Sequence, residues 1–201
     1  MPAKVDEFDY INFLIAAQRV FTCTEASRSQ PGDCGDDDKL AHDAFTRLLE
    51  RIPDTEAPWS EAKNLVKLDG GAIVIDDTTF DKPYAEKMDL VTYHWSGKHH
   101  DVVKGINLIT TLWTNGKRLI PCDFRIYDKP FGGEGKNEHF RDMLTRAKER
   151  GFGPRYVLFD SWYSSSLDNL KHIREFGWRW LARLKENRMV NPDGKGNMPI
   201  A

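Results

Sequence analysis

The 201-residue chain lacks most of the features that classify a protein by composition alone. Its three cysteines, Cys23, Cys34 and Cys122, cannot all pair with one another and form no Cys-x-x-Cys, so reduced thiols in a cytosolic protein are expected rather than a disulfide or zinc scaffold. There is no long apolar run near the N-terminus, where Asp6, Glu7 and Asp9 stand instead, so neither a signal peptide nor a membrane span is expected. Charge imbalance is also missing. With 29 Lys and Arg against 31 Asp and Glu the net charge is −2, and any contact with nucleic acid has to come from local basic patches. No internal repeat is present. What the chain does have is 40% hydrophobic and 30% charged residues, enough for a packed core in one or two domains of α/β type.

Residues 1–67 read as helical. Phe8, Ile11, Leu14, Ile15 and Gln18 have helical spacing with an apolar side, and Thr24–Arg28 suits a second short helix. Gln30–Asp38 reads as a loop. Lys39–Ile52 reads as a helix capped by Asp38, with Leu40, Ala44, Leu48 and Phe45 available for the inner side, ended by Pro53. Pro58 marks a further turn, and Trp59–Val66 suits one more short helix. From Gly70-Gly71 the character changes. Ala72–Ile75 is a β-branched apolar run expected to be a central strand, and Val102–Trp113 is a second strand. Asn115-Gly116 signals a two-residue hairpin turn, and Lys117–Tyr127 is the returning strand, with Leu119, Cys122, Phe124 and Ile126 available for burial and Pro121 marking a bulge or an edge. Gly132–Gly135 reads as a loop. Asn137–Arg150 is an amphipathic helix with Phe140, Met143, Leu144 and Ala147 on one face and Gly151 at its C-terminal stop. Tyr156–Phe159 is a strand, the helix carrying Leu167, Leu170 and Ile173 stops at Gly177, and Trp178–Leu184 alternates as a strand. Residues 191–201 form an irregular tail and a probable truncation point.

This order, from residue 70 to 190, is that of an RNase H-like core, a mixed sheet with flanking helices. In that fold the first strand lies beside the strand that follows the first helix. Two acidic sites then matter, Asp76 or Asp77 after the first strand and Asp160 after the strand Tyr156–Phe159. Carboxylates mounted on neighbouring strands suit a hard, oxygen-preferring cation such as Mg²⁺ and phosphodiester chemistry. Asp76 and Asp77 cannot both point the same way, because strand side chains alternate; Asp76 is the preferred ligand. Asp76, Asp77 and Asp160 are the candidate catalytic residues, with Asp76 and Asp160 as metal ligands.

Candidate DNA contacts are scattered. Tyr93, Trp95, Lys98, His99 and His100 lie in what reads as a polar loop between strands, where they suit contact with a DNA backbone or an unpaired base. Arg179, Arg183, Lys185 and Arg188 make one side of the last strand largely basic. Tyr163 suits either stacking on a base or the interior. His42, Thr46 and Arg47 are the exposed positions of a helix-turn-helix-like pair in the N-terminal part.

The segment from Ile73 to Phe80, Ile-Val-Ile-Asp-Asp-Thr-Thr-Phe, resembles the first catalytic strand of bacterial insertion-sequence transposases of the DDE class. Tyr156–Tyr163 resembles their second catalytic strand, Trp178–Arg188 the strand that often follows, and Phe13–Gln18 and Ala41–Ala44 their N-terminal region. The resemblance implies an RNase H-like nuclease that uses Mg²⁺ or Mn²⁺, nicks double-stranded DNA at terminal inverted repeats and transfers the freed ends into target DNA, in the bacterial cytoplasm at the nucleoid. It implies a third acid, a Glu within a Tyr-Arg-Glu-Lys pattern. No such pattern occurs here, and neither Glu175 nor Glu186 is a good substitute. The expectation is therefore the N-terminal portion of a transposase with an incomplete core, acting with a homodimer or full-length partner. The rival readings are a non-catalytic DNA-binding or regulatory remnant and a small RNase H-like nuclease.

Overall fold

The structure, a computed structural model, describes residues 5–18, 20–30, 40–51, 56–128, 133–185 and 187–200. Cys34, the Asp38 cap, the Pro53 stop and Glu186 lie outside these residues. The chain divides into two compact units, residues 1–57 and 58–201. The boundary falls about ten residues before the one expected.

The first unit is helical. Helix α1 (Glu7–Ala16) begins in a reciprocal cap: the Asp9 backbone N–H donates to Asp6 Oδ1 and the Asp6 N–H to Asp9 Oδ2, both at 3.0 Å. The stripe expected to face inward does the opposite, for Phe8, Ile11, Leu14 and Ile15 are all exposed. The neighbouring stripe of Tyr10, Phe13 and Ala17 goes inside, to meet Ala26, Phe45 and Leu48. Both stripes have helical spacing; the one that packs brings the Tyr10 ring against Phe13 and against Phe45 of the third helix. Helix α2 (Cys23–Ser29) is capped by Thr22, whose Oγ1 accepts from the Glu25 N–H at 3.1 Å. Helix α3 (His42–Glu50) starts three residues later than expected and buries Phe45 and Leu48.

The second unit begins within helix α4 (Glu56–Ala62), which is continued by a 3-10 turn at Lys63–Leu65. The helix starts before Pro58, which is tolerated in a first turn because its missing N–H would have no intrahelical partner. Next come strands β1 (Ala72–Asp81), β2 (Thr92–Ser96), β3 (Asp101–Thr114) and β4 (Leu119–Tyr127), helix α5 (Lys136–Glu149), strand β5 (Tyr156–Phe159), helix α6 (Leu167–Glu175) and strand β6 (Trp180–Ala182). They build a six-stranded mixed sheet in the order β2-β3-β1-β5-β6, with β4 on β3. β1 is antiparallel to β3 and parallel to β5, so the first strand sits centrally beside the strand after α5, as an RNase H-like order requires. The tail expected to be irregular forms a small hairpin, β7 (Met189–Val190) with β8 (Met198–Pro199).

Strand alternation gives the sheet two unlike faces. One carries Ile73, Ile75, Ile109, Trp113, Val157 and Phe159, buried against Phe140, Met143, Leu144 and Ala147 of α5 and Ile173 of α6. Phe140 is held by ring contacts with Phe159, edge-on at 5.2 Å, and Tyr163, stacked at 5.0 Å. The other face carries the intervening residues and is open: no helix among the described residues contributes to a core there. Gly151 and Gly177 stop α5 and α6 with φ of 86° and 74°, conformations that favour glycine.

Three local expectations fail for identifiable reasons. β2 forms where the sequence reads as loop, because its apolar pattern is inverted: His94 and Ser96 are buried while Tyr93 and Trp95 face out. The hairpin after β3 spans four residues, not two, because Asn115 Oδ1 accepts from both the Lys117 and Arg118 N–H groups. In β4 a one-residue bulge at Cys122, beside Pro121, shifts the register, pairing Thr111 with Asp123 and Leu112 with Pro121. Leu119 and Ile126 are consequently exposed and Phe124 half-buried, whereas Ile120, Asp123, Arg125 and Tyr127 share the covered side. Burial pushes the Cys122 thiol up to about 11.

Candidate active site on the open face of the sheet

The site begins with where the β1–β5 ladder ends. β1 continues to Asp81, so Asp76 and Asp77 lie within the strand rather than at its end, correcting the sequence expectation. The parallel pairing with β5, however, stops at Ile75 opposite Phe159. Asp76 and Asp160 are the next residue on each strand. Both alternate away from the buried Ile75 and Phe159, which puts them on the open face at the same level. The row extends to β6: Phe159 pairs with Ala182, so Arg183 follows at that level too, and the alternation that exposes Arg179 and Leu181 exposes Arg183 and Lys185.

Each carboxylate is held by backbone donors. The Asp77 N–H donates to Asp76 Oδ1 at 2.9 Å. Asp160 Oδ1 accepts from the N–H groups of Trp162 at 2.9 Å and Tyr163 at 3.2 Å, closing the turn that leads into the 3-10 segment Tyr163–Ser165. A capping role for Asp160, the plain alternative to a metal ligand, is thus realised through one oxygen. Burial holds the Asp76 carboxyl above the usual carboxylate range; the Asp77 N–H opposes this, the charges of Asp77 and Asp160 add to it, and Lys136 draws it back. A carboxylate raised by two other carboxylates is one whose charge a cation would relieve. Oxygen-only donors on two rigid strands fit a hard divalent ion. No group of three or more His, Cys, Asp or Glu placed to hold a metal occurs among the described residues.

Asp77 is on the other face, and it is engaged there. Its Oδ2 pairs with Lys136 Nζ at 2.7 Å and accepts from Asn107 Nδ2 at 2.9 Å, while its Oδ1 accepts from the Tyr163 hydroxyl at 3.2 Å. Tyr163 is fully buried, and burial, with Asp77 next, pushes its hydroxyl far up; of its two anticipated roles it takes the interior one. Lys136, the first residue of α5, also lies over the rings of Tyr127 at 5.4 Å and Trp162 at 5.7 Å. Sequence reasoning missed Lys136 and Asn107. Their link to Asp77 spans 59 and 30 residues, and no local pattern announces it.

The remaining candidates are dispersed. Lys98 is exposed in the turn between β2 and β3. Arg188 is exposed and donates to the Ser165 carbonyl at 3.3 Å. In the helical unit His42, Thr46 and Arg47 are exposed on α3; His42 Nε2 meets Asp43 Oδ1 at 2.8 Å and Thr46 Oγ1 donates to the His42 carbonyl at 3.3 Å. Glu175, the weak candidate for a third acid, is exposed at the end of α6 near His172.

A family described as the transposase DDE domain matches residues 67–198, well over half of the chain. The chain belongs to this transposase family. Among solved structures it is similar to the piggyBac transposase synaptic complex with hairpin DNA (10% identity, TM-score 0.45, covering 92% of this chain and 48% of that one). It is also similar to the Mos1 strand transfer complex (14% identity, TM-score 0.33, 92% and 60%) and the Drosophila P element transposase strand transfer complex (11%, 0.24, 96% and 44%). The chain spans about half the length of these structures. No match was found among curated proteins. No helix among the described residues is long and apolar enough to cross a membrane.

Proposed function

We propose that this chain is the front part of the catalytic core of a DNA transposase, built for Mg²⁺- or Mn²⁺-dependent nicking and strand transfer at terminal inverted repeats of an insertion sequence. One observation carries the reading: Asp76 and Asp160 follow the last paired residues of adjacent parallel strands and share the open face. In this reading Asp76 and Asp160 hold the ion. Asp77, bound up with Lys136, Asn107 and Tyr163, does not contact it. A bound divalent ion would supply Lewis-acid polarisation and charge neutralisation at a phosphodiester. The chain's own residues do the rest. The Asp77, Trp162 and Tyr163 N–H groups fix the carboxylate orientations. Arg183, with Arg179, Lys185 and Arg188 nearby in sequence, binds backbone phosphates beside the acids. His42, Thr46 and Arg47 of α3 contact duplex DNA, and Lys98, in the second unit, contacts a DNA backbone.

The test is Mg²⁺-dependent nicking of an inverted-repeat duplex by the purified chain, with Asp160→Ala as control. Nicking lost in that variant supports the reading; nicking that survives it contradicts it. A second reading, a DNA-binding remnant that occupies the repeats or joins a full-length partner, is favoured by the lack, among the described residues, of a third acid grouped with Asp76 and Asp160. It requires repeat-specific binding, sensitive to Arg47→Ala, without any nicking.

A further inference from the structure

We propose that the open face also carries a track for an unpaired DNA strand, formed by Phe80, Tyr93 and Trp95 and leading away from the Asp76–Asp160 row. The inference rests on the reading of the chain as a DNA-processing core and names the form of DNA that this face takes.

The register defines the track. Asp76 pairs with Thr110 of β3, Phe80 with Ile106, Tyr93 with Lys104 and Trp95 with Val102. All four partners are even-numbered residues of one strand, so all four side chains share a face with Asp76. The three rings are 51%, 63% and 63% exposed. Large aromatics on a sheet face ordinarily pack under a helix; here the polar side of the same ribbon is the buried one, with His94, Ser96 and Asn107 inside. That burial fixes the ribbon and presents the rings on a rigid mount.

Spacing selects the occupant. Tyr93 and Trp95 are two residues apart on β2, a step of about 7 Å; Phe80 lies across β3 from them, about 12 Å from Tyr93 and about 13 Å along β1 from Asp76. The step is about twice the 3.4 Å axial rise per nucleotide of a stacked strand. Bases in a duplex have no free faces to offer at that interval, whereas an extended single strand can lay successive bases on Tyr93 and Trp95 and, crossing β3, a further base on Phe80. The charges agree. Alternation places Lys104 on this face, half-buried with its Nζ donating to the Ala85 carbonyl, and directs Asp81 and Asp101 to the opposite side, where Asp81 Oδ2 already meets His99 Nε2 at 2.8 Å. Lys98 and His100 stand exposed in the turn at the far end. A strand freed at the acids therefore finds stacking partners on the same face, first Phe80 along β1 and then, diagonally across β3, Tyr93 and Trp95.

The test measures binding of the purified chain to a fluorescent oligothymidylate and to the corresponding duplex at one fixed salt concentration. The double variant Tyr93→Ala/Trp95→Ala should weaken single-strand binding by about tenfold or more and duplex binding by less than about twofold. Phenylalanine at both positions should restore the single-strand affinity, which separates lost stacking from misfolding. Unchanged single-strand affinity, or a parallel fall for duplex, overturns the track. So does a dimer of the native chain that the alanines dissolve while single-strand affinity holds, which would make this ribbon a contact between copies. Mn²⁺ binding in the same samples keeps the two readings apart: a failed track with Asp160-dependent Mn²⁺ binding leaves the phosphodiester reading standing. A confirmed track without such Mn²⁺ binding removes that reading and keeps the track.

Discussion

The two faces of the sheet are made from the same strands and obey different rules. The covered face buries Ile73, Ile75, Ile109, Val157 and Phe159 under α5 and α6, and its polar groups are gathered into specific clusters. The open face carries Asp76, Asp160 and Arg183 in a row, with half-buried Leu108, Leu112 and Leu158 and exposed Phe80 and Leu181 around them. The first face is organised for stability. The second holds like charges together at a cost to stability, which is the usual mark of a face built to bind something.

The contrast is sharpest for substitutions that leave a buried charge alone. Asp123 is almost fully buried; burial raises its carboxyl and Arg125 opposes this, donating to Oδ1 at 2.5 Å while reaching Asp142 at 3.2 Å. Arg125→Leu should destabilise the chain by about 3–5 kcal/mol in urea unfolding, in the range for breaking a buried pair. Phe140→Ala should cost a similar amount through the cavity it leaves, about 3–5 kcal/mol. Either loss below about 1 kcal/mol would mean that this face is not the core.

At the boundary between the faces, Lys136→Met should cost about 1–3 kcal/mol by leaving Asp77 without its ammonium partner. Adding Asp77→Asn should recover most of that loss, because the amide oxygen can still accept from the Tyr163 hydroxyl and its NH₂ can donate to Asn107 Oδ1 once the Asn107 amide turns over. Failure of the double variant to recover would show that Lys136 acts through its ring contacts with Tyr127 and Trp162 instead.

On the open face the sign reverses. The folded state raises the Asp76 carboxyl, so it binds the proton more tightly than the unfolded chain does. Stability contributed by this group is present at low pH and falls as pH rises from the ordinary carboxylate value through the raised folded one. Metal-free Asp76→Asn should therefore melt higher at neutral pH, by no more than about 2 °C for a half-exposed, water-screened group, and the advantage should vanish below that window. A lower melting temperature at neutral pH would assign Asp76 to the scaffold. Smallest of all, Arg183→Ala should change stability by less than about 0.5 kcal/mol while weakening DNA binding and flattening its salt dependence.

The same contrast explains what the sequence made legible. Periodic and repetitive burial could be read directly: the inner face of α5, the strand Tyr156–Phe159, and the stops at Gly151 and Gly177. The adjacency of Asp76 and Asp160 followed from element order, because a parallel pair across a helix leaves few alternatives. Illegible were the places where tertiary context overrides local pattern. Two apolar stripes competed on α1, β2 turned its aromatics outward, and a bulge at Cys122 exchanged the faces of β4. The partners of Asp77 come from 30, 59 and 86 residues away, so the face on which that carboxylate is spent could be found only in three dimensions.

Asp76 and Asp160 are proposed to share one divalent ion, and loss of the free Mn²⁺ resonance on titration with the purified chain measures this directly. The native chain should bind Mn²⁺ weakly, with a dissociation constant on the order of 10⁻⁴–10⁻³ M as befits few charged ligands. Asp76→Ala and Asp160→Ala should each abolish binding, and Asp77→Asn should retain it. Binding that survives both alanine variants, or that depends on Asp77 rather than Asp76, would contradict the account.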